Sequence, residues 1–196
     1  MGRQKTISDD DVLAVARRVF RERGHSASTR EVAEAAGISE AVLYQRFGSK
    51  DDLFFAAMRP AGPDIAQLLG PPELPKDAQE YLRSVLVRMG KHFADVIPLA
   101  LHVMTHPSFD RAAFARAHPQ GHDSLKETFS RRLAELAHAG LLAISSPSTT
   151  AKLLIGIAHD WALSATMADG PSPNRVRDLK EMVDVVWNGL RVDESR

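Results

Sequence analysis

"STREVAEAAGISEAVLYQRFGSK", residues 28–50, decides how this chain folds. Ser28 with Glu31 three residues later is a capping box, and it opens a helix over "TREVAEAA". Gly37 supplies the left-handed stop, and Ser39 then caps a second helix that Ile38 can staple onto Leu43. Helices of about eight residues are marginal alone in water, so both must be held by packing against neighbours. Val32, Ala33 and Ala36 point one way, as do Ile38, Val42, Leu43 and Phe47. Small Ala33 and the Gly37 turn let the two helices approach closely and cross at a wide angle, which is helix-turn-helix geometry.

The outer face of the second helix follows from its 3.6-residue period: Glu40, Ala41, Tyr44 and Gln45 project together, with Arg46 flanking. That face suits a DNA major groove. Arg46 and Gln45 can read base edges bidentately, Glu40 can accept from cytosine, Ala41 can touch a thymine methyl, and Tyr44 can reach a phosphate. Ser49 and Lys50 stand where another helix begins, offering backbone N–H groups and a lysine to a phosphate. Thr29 and Arg30 can clamp the opposite groove wall, and "MGRQK" at the N-terminus can serve as a basic arm.

The flanks supply the packing partners. Ser8 caps a first helix whose first turn holds three aspartates and whose stripe Val12, Val15, Ala16, Val19 and Phe20 is buried, with Gly24 ending it. Ser49 with Asp52 is a second capping box, opening a helix through Leu53, Phe54, Ala57 and Met58 that should end near Arg59. Prolines 60, 63, 71, 72 and 75 then mark a boundary. Beyond it, "DAQEYLRSVLVRMGKHFADV", "SLKETFSRRLAELAHAG", "STTAKLLIGIAHDWALSATMADG" and "NRVRDLKEMVDVVWNGLR" carry helical periodicity, with shorter pieces around "PLALHVMTH" and "DRAAFARAH". The expectation is an all-α chain of about nine helices: a helix-turn-helix domain over 1–59 with its recognition helix at about 39–46, a proline-rich connection over 60–77, and a helical bundle over 78–196.

Composition bounds the function. The 196 residues carry 25 Lys and Arg against 25 Asp and Glu, so attraction to DNA has to come from local placement. Residues 1–60 hold 10 Lys and Arg against 9 Asp and Glu, so binding depends on few, well-placed contacts. Cysteine is absent, which removes disulfides, thiolate nucleophiles and thiolate metal sites. No apolar leader precedes the first helix, and the longest apolar stretch is broken by Pro98 and His102, so the cytoplasm is the expected compartment and no membrane partner is expected. There is no glycine-rich phosphate loop, no G-x-S-x-G and no H-E-x-x-H, so nothing visible organises catalysis.

"STREVAEAAGISEAVLYQRFGSKDDLFFAAM" resembles the DNA-binding domain of TetR-family bacterial transcriptional regulators, through the Gly37 turn and the Leu43-Tyr44-x-x-Phe47-x-x-Lys50 run. The resemblance covers roughly residues 8–58. It implies an all-α homodimer whose C-terminal domain binds a small molecule that releases operator DNA. By position it puts Thr29, Arg30, Tyr44 and Lys50 on phosphates, and Ser39, Glu40, Ala41, Gln45 and Arg46 on the groove-reading surface. His25 stands where the family usually has an aromatic residue after glycine.

In the C-terminal region, Met89, Phe93, Met104, Phe129 and Trp161 could line an apolar ligand cavity, with His92, His102, Thr105 or His159 as polar fixtures; the alternative for each is ordinary core. His102 and His106 are four apart but no third metal ligand is spaced to complete a set, and His118 and His122 have Pro119 and Gly121 between them. No metal or cofactor is expected beyond an unidentified small-molecule effector. The last helix carries Val176, Leu179, Val183, Val186 and Leu190 at three- and four-residue steps, widened by Met182 and Trp187. The helix before it carries Gly156, Ala158, Ala162 and Ala165, small enough for close approach. Together they are the expected homodimer interface; packing within one subunit is the alternative. The function expected is a ligand-responsive regulator, most often a repressor in this family, on palindromic operator DNA. The alternative is a constitutive DNA-organising protein with the same head and a filled C-terminal core.

Overall fold

Serine side chains start the helices of the N-terminal region. In the computed structural model, which describes residues 7–60, 62–112, 114, 121–167 and 175–190, Ser8 caps α1 (Asp9–Arg23), Ser28 caps α2 (Thr29–Ala36), Ser39 caps α3 (Glu40–Phe47) and Ser49 caps α4 (Lys50–Met58). Each hydroxyl accepts from the backbone N–H three residues on, satisfying one of the donors a helix start leaves open. Both capping boxes, Ser28 with Glu31 and Ser49 with Asp52, are complete. A 3-10 turn (Gly24–Ser26) joins α1 to α2. The described residues hold α-helices and no strand, as expected of an all-α chain, and one short helix, Ile65–Leu69, falls within the stretch read as a proline-rich connection.

The chain divides into two compact units, residues 1–61 with 98–117, and residues 62–97 with 118–196. In the first, Val12, Ala16 and Phe20 of α1 meet Val32, Leu43, Leu53, Phe54 and Met58, joined by Leu99 and Val103. Phe20 and Phe54 meet edge to face at 5.1 Å. Each fully buried Phe or Leu here contributes about 1.5–3 kcal/mol over an exposed one. Arg17 caps the other end of α4, its Nε donating to the Ala57 carbonyl at 2.6 Å. Buried His106 closes the same core, its ring 4.4 Å from that of Phe54 and 4.9 Å from that of Phe55.

The second unit contains α5 (Ile65–Leu69), α6 (Ala78–Met104) as far as Ile97, α7 (Gly121–His138), α8 (Pro147–Met167) and α9 (Arg175–Leu190). Leu82, Val85, Leu86, Met89 and Phe93 of α6 pack with Leu125, Phe129, Leu133 and Leu136 of α7 and Leu154 and Ala158 of α8. The proline-rich stretch, short of backbone donors, is held through its carbonyls. Arg132 donates to those of Pro71, Pro72 and Glu73, and Arg88 donates to that of Leu68 at 2.7 Å.

Two features differ from the periodicity reading. α6 runs unbroken through Pro98, where two pieces were expected; the missing N–H forgoes one bond to the Ala94 carbonyl, and the helix continues past it to Met104. Ala162, Leu179 and Val183, assigned to a subunit interface, are at most 1% exposed within their own chain, so they belong to this unit's core. The arm 1–6, His118 and the side chains of His122 and Leu190 lie outside the described residues. Among those described, no helix is long and apolar enough to cross a membrane.

Candidate nucleic-acid interface

The turn between α2 and α3 is a left-handed glycine. Gly37 has φ 69° and ψ 29°, its N–H reaches the Ala33 and Glu34 carbonyls, and the Ile38 N–H bonds Ala33 O at 3.0 Å. This closes α2 and redirects the chain without a β-carbon penalty. Leu43 is buried against the unit's core, which fixes the rotation of α3 about its axis. With Leu43 inward, Ala41, Tyr44 and Gln45 are exposed and Glu40 is half-buried.

Polar contacts hold this face in place. The Thr29 hydroxyl donates to the Glu40 carboxylate and lies 3.2 Å from the Tyr44 hydroxyl, tying the start of α2 to α3. Arg23 pairs with Glu31, tying the end of α1 to α2. Hydrogen bonds from the Ser28 backbone and hydroxyl hold the Glu31 carboxyl below its usual range. Arg30 is exposed and pairs with Glu34 at 2.8 Å, which raises its pKa further above neutrality.

The cations of the face are placed differently from one another. Lys50, in the first turn of α4, donates to the His25 carbonyl at 2.7 Å, and Ser39 is exposed at the start of α3. Arg46 is turned back: it donates to the Ile7 carbonyl at 2.8 Å and to Asp9 Oδ1 at 3.2 Å, with 22% of its side chain exposed. In this arrangement Arg46 anchors the start of α1 rather than facing outward. His25 takes the aromatic position after Gly24 by setting its ring edge-on to His106 at 5.8 Å. His106, Asp51 and Ser108 are the contacts that sequence reasoning missed: Ser108 Oγ bonds Asp51, and the Ser108 N–H donates to His106 Nδ1 at 3.1 Å. Nothing in the local pattern marks them, because Ser108 is 57 residues along the chain from Asp51.

The residues weighed for a ligand cavity fall in both units. Met89 and Phe129 are fully buried in the second unit's core, with Phe93 nearly so and Trp161 half-buried beside them. His92 is half-buried and His159 exposed, each ring 5.6 Å from that of Phe93; burial lowers the His92 pKa, with Asp95 opposing. His102 and Met104 belong to the first unit, His102 turning its Nδ1 to the Pro98 carbonyl and Met104 lying exposed. Elsewhere in the second unit, Thr149, Lys152, Leu153, Gly156, Ile157 and Asp160 of α8 with Met182 of α9 line an open, mostly apolar groove of about 530 Å³. Val176 and Val185 are exposed on α9, Val186 half-buried.

Residues 12–57 match the sequence model for bacterial regulatory proteins of the tetR family. The chain is 27% identical over 97% of its length, and 96% of that protein's, to the HTH-type transcriptional repressor AcnR of Corynebacterium efficiens. It is 45% identical over 49 residues, 24% of this chain and 22% of that protein, to the HTH-type transcriptional activator FasR of Mycolicibacterium smegmatis. The crystal structure of a TetR/AcrR-family transcriptional regulator from Thermobifida fusca shares its fold, with a TM-score of 0.65 over 96% of this chain and 100% of that one at 19% identity.

Proposed function

We propose that the chain is a TetR-family transcriptional regulator and not an enzyme, a repressor that binds a palindromic operator as a homodimer and is released by a small-molecule effector; the match of residues 12–57 to the tetR-family model and the full-length likeness to a repressor support this. The observation that carries this is the α2–turn–α3 unit, with Leu43 buried and Ala41, Tyr44 and Gln45 exposed on the opposite side. Repression is favoured over activation by the relative matched along nearly its whole length, against the activator matched over 49 residues.

Ser39, Glu40, Ala41 and Gln45 form the base-reading surface in this account, and Arg30 and Lys50 hold phosphates. Arg46 sets the start of α1 rather than reading a base. Binding a palindrome requires two recognition helices about 34–36 Å apart, which one chain cannot supply. The groove of α8 and α9, with Leu153 and Met182, together with exposed Val185 on α9, is the surface offered to the second copy. The effector site belongs to the second unit, where His92 and His159 bring polar groups to the edge of Phe93.

Selection from random double-stranded DNA tests the reading. The full chain should enrich an inverted repeat, and enrichment of no sequence would contradict it.

A further inference from the structure

The 3-10 turn between α1 and α2 brings a histidine to Lys50. Its backbone is fastened by Ser26 Oγ, which donates to the Arg23 carbonyl at 2.6 Å, and by the Ala27 N–H, which bonds the Gly24 carbonyl at 3.3 Å. Lys50 Nζ donates to the His25 carbonyl at 2.7 Å, so His25 and the ammonium share one spot on the surface. Ser28, the cap of α2, follows three residues later, with Thr29 and Arg30 behind it. His25 is exposed, whereas His106, whose ring it meets edge-on at 5.8 Å, is buried. The Ser108 N–H donates to His106 Nδ1 at 3.1 Å, which makes Nε2 the protonated nitrogen and leaves that ring neutral. His106 therefore sets no positive charge against His25. The other charges nearby come in opposed pairs: Lys50 stands next to Asp51 on α4, and Arg23 at the end of α1 is paired with Glu31 of α2.

From this geometry we infer that His25 is a further phosphate-binding residue, which takes up a proton from solvent as DNA binds and joins Lys50 on the DNA backbone. With the neighbouring charges balanced, the phosphate that Lys50 holds is the anion that decides the charge of the imidazole. Histidine changes its charge between about pH 5 and 8, so this contact follows pH where that of Lys50 stays constant. The aromatic residue that the resemblance leads one to expect at this position would fill the space beside His106 without carrying charge. The inference rests on the DNA-binding reading and adds to it one contact with the backbone and none with a base.

The test is the affinity of the full chain for its selected DNA as a function of pH, for wild type, His25→Phe, His25→Gln and His106→Gln. Proton uptake on binding requires affinity to rise as pH falls, and a rise of about tenfold for each bound chain is expected between about pH 8 and pH 6. Both His25 variants should flatten that rise and leave base preference unchanged. His106→Gln should keep it. Calorimetry of wild type in two buffers of different ionisation enthalpy should show protons taken up on binding, a readout that needs no variant to fold. Absence of uptake overturns the inference. So does a pH dependence that survives both His25 variants, or one that only His106→Gln removes. Wild type binding no DNA at any pH would remove the DNA-binding reading together with the inference, whereas sequence-selective binding that ignores pH would remove the inference alone.

Discussion

His106 Nε2 lies 3.7 Å from Asp51 Oδ1, at the start of the helix whose first residue is Lys50. Its Nδ1 accepts from the Ser108 N–H, so a proton added there would set two donors face to face. Burial holds the His106 pKa below 6.5; the Asp51 carboxylate opposes this, and His25 and Lys50 add to it. The unfolded chain therefore binds the proton first as pH falls, and stability supplied by the neutral ring is complete above about 6.5 and lost below it. His106→Gln keeps an acceptor for Ser108 but loses the contact with Phe54. It should be less stable at pH 7.5 by about 1 kcal/mol, with the gap narrowing by pH 5.5. Parallel thermal-melt profiles for the two proteins would contradict this.

Gly90 makes the tightest approach among the described glycines. A β-carbon there would sit 2.9 Å from Leu179 Cδ2 and 3.0 Å from Trp161 Cε3. Gly90→Ala gains up to about 1 kcal/mol of helix propensity but overpacks at a cost of about 1–3 kcal/mol. Denaturant unfolding should show net destabilisation, accompanied by a change in tryptophan emission. A more stable variant would show that the contact relaxes.

Arg132 is 7% exposed and its guanidinium meets three carbonyls of the proline-rich stretch as well as Glu135. Arg132→Met leaves those acceptors without their donor and should cost about 3 kcal/mol in denaturant unfolding. Arg132→Lys, without the planar fork, should recover less than half of that loss.

The extent to which the sequence reveals this architecture differs between local and distant contacts. Capping serines 8, 28, 39 and 49, the Gly37 turn and the end of α4 at Arg59 are legible because each depends on residues within four positions. The apolar stripe of α9 is also legible, but periodicity says only that a face is buried, not against what. Leu179 and Val183 turn into their own chain's core, leaving Met182 and Val185 outside. The joining of Leu99, Val103 and His106 to the first unit has no local signature, and neither has the turn of Arg46 toward Ile7 and Asp9.

That division changes which substitutions should separate two chains. Leu153→Glu and Val185→Glu alter exposed positions and should yield folded monomers that lose operator affinity. Val183→Glu buries a charge in the core and should unfold the second unit instead. Sedimentation with circular dichroism distinguishes these results; a Val185→Glu protein that stays dimeric would place the interface elsewhere.

On the DNA-facing surface, Lys50→Ala should weaken binding to all sequences and reduce the salt slope by about one. Gln45→Ala should relax preference at one position by about 1–3 kcal/mol. Arg46→Ala should weaken all sequences alike, because it loosens the start of α1 rather than removing a base contact. Competition binding against single-position operator variants checks all three, and a change in base preference for Arg46→Ala would return that residue to the groove.

The central claim, that two copies of this helix-turn-helix read successive turns of one operator, is tested most directly by hydroxyl-radical footprinting of the full chain on its selected DNA, with stoichiometry measured in parallel. The account predicts two protected segments on one face, about 34–36 Å apart, with two chains per site. One protected segment with one chain bound, or protection that ignores sequence, would contradict it.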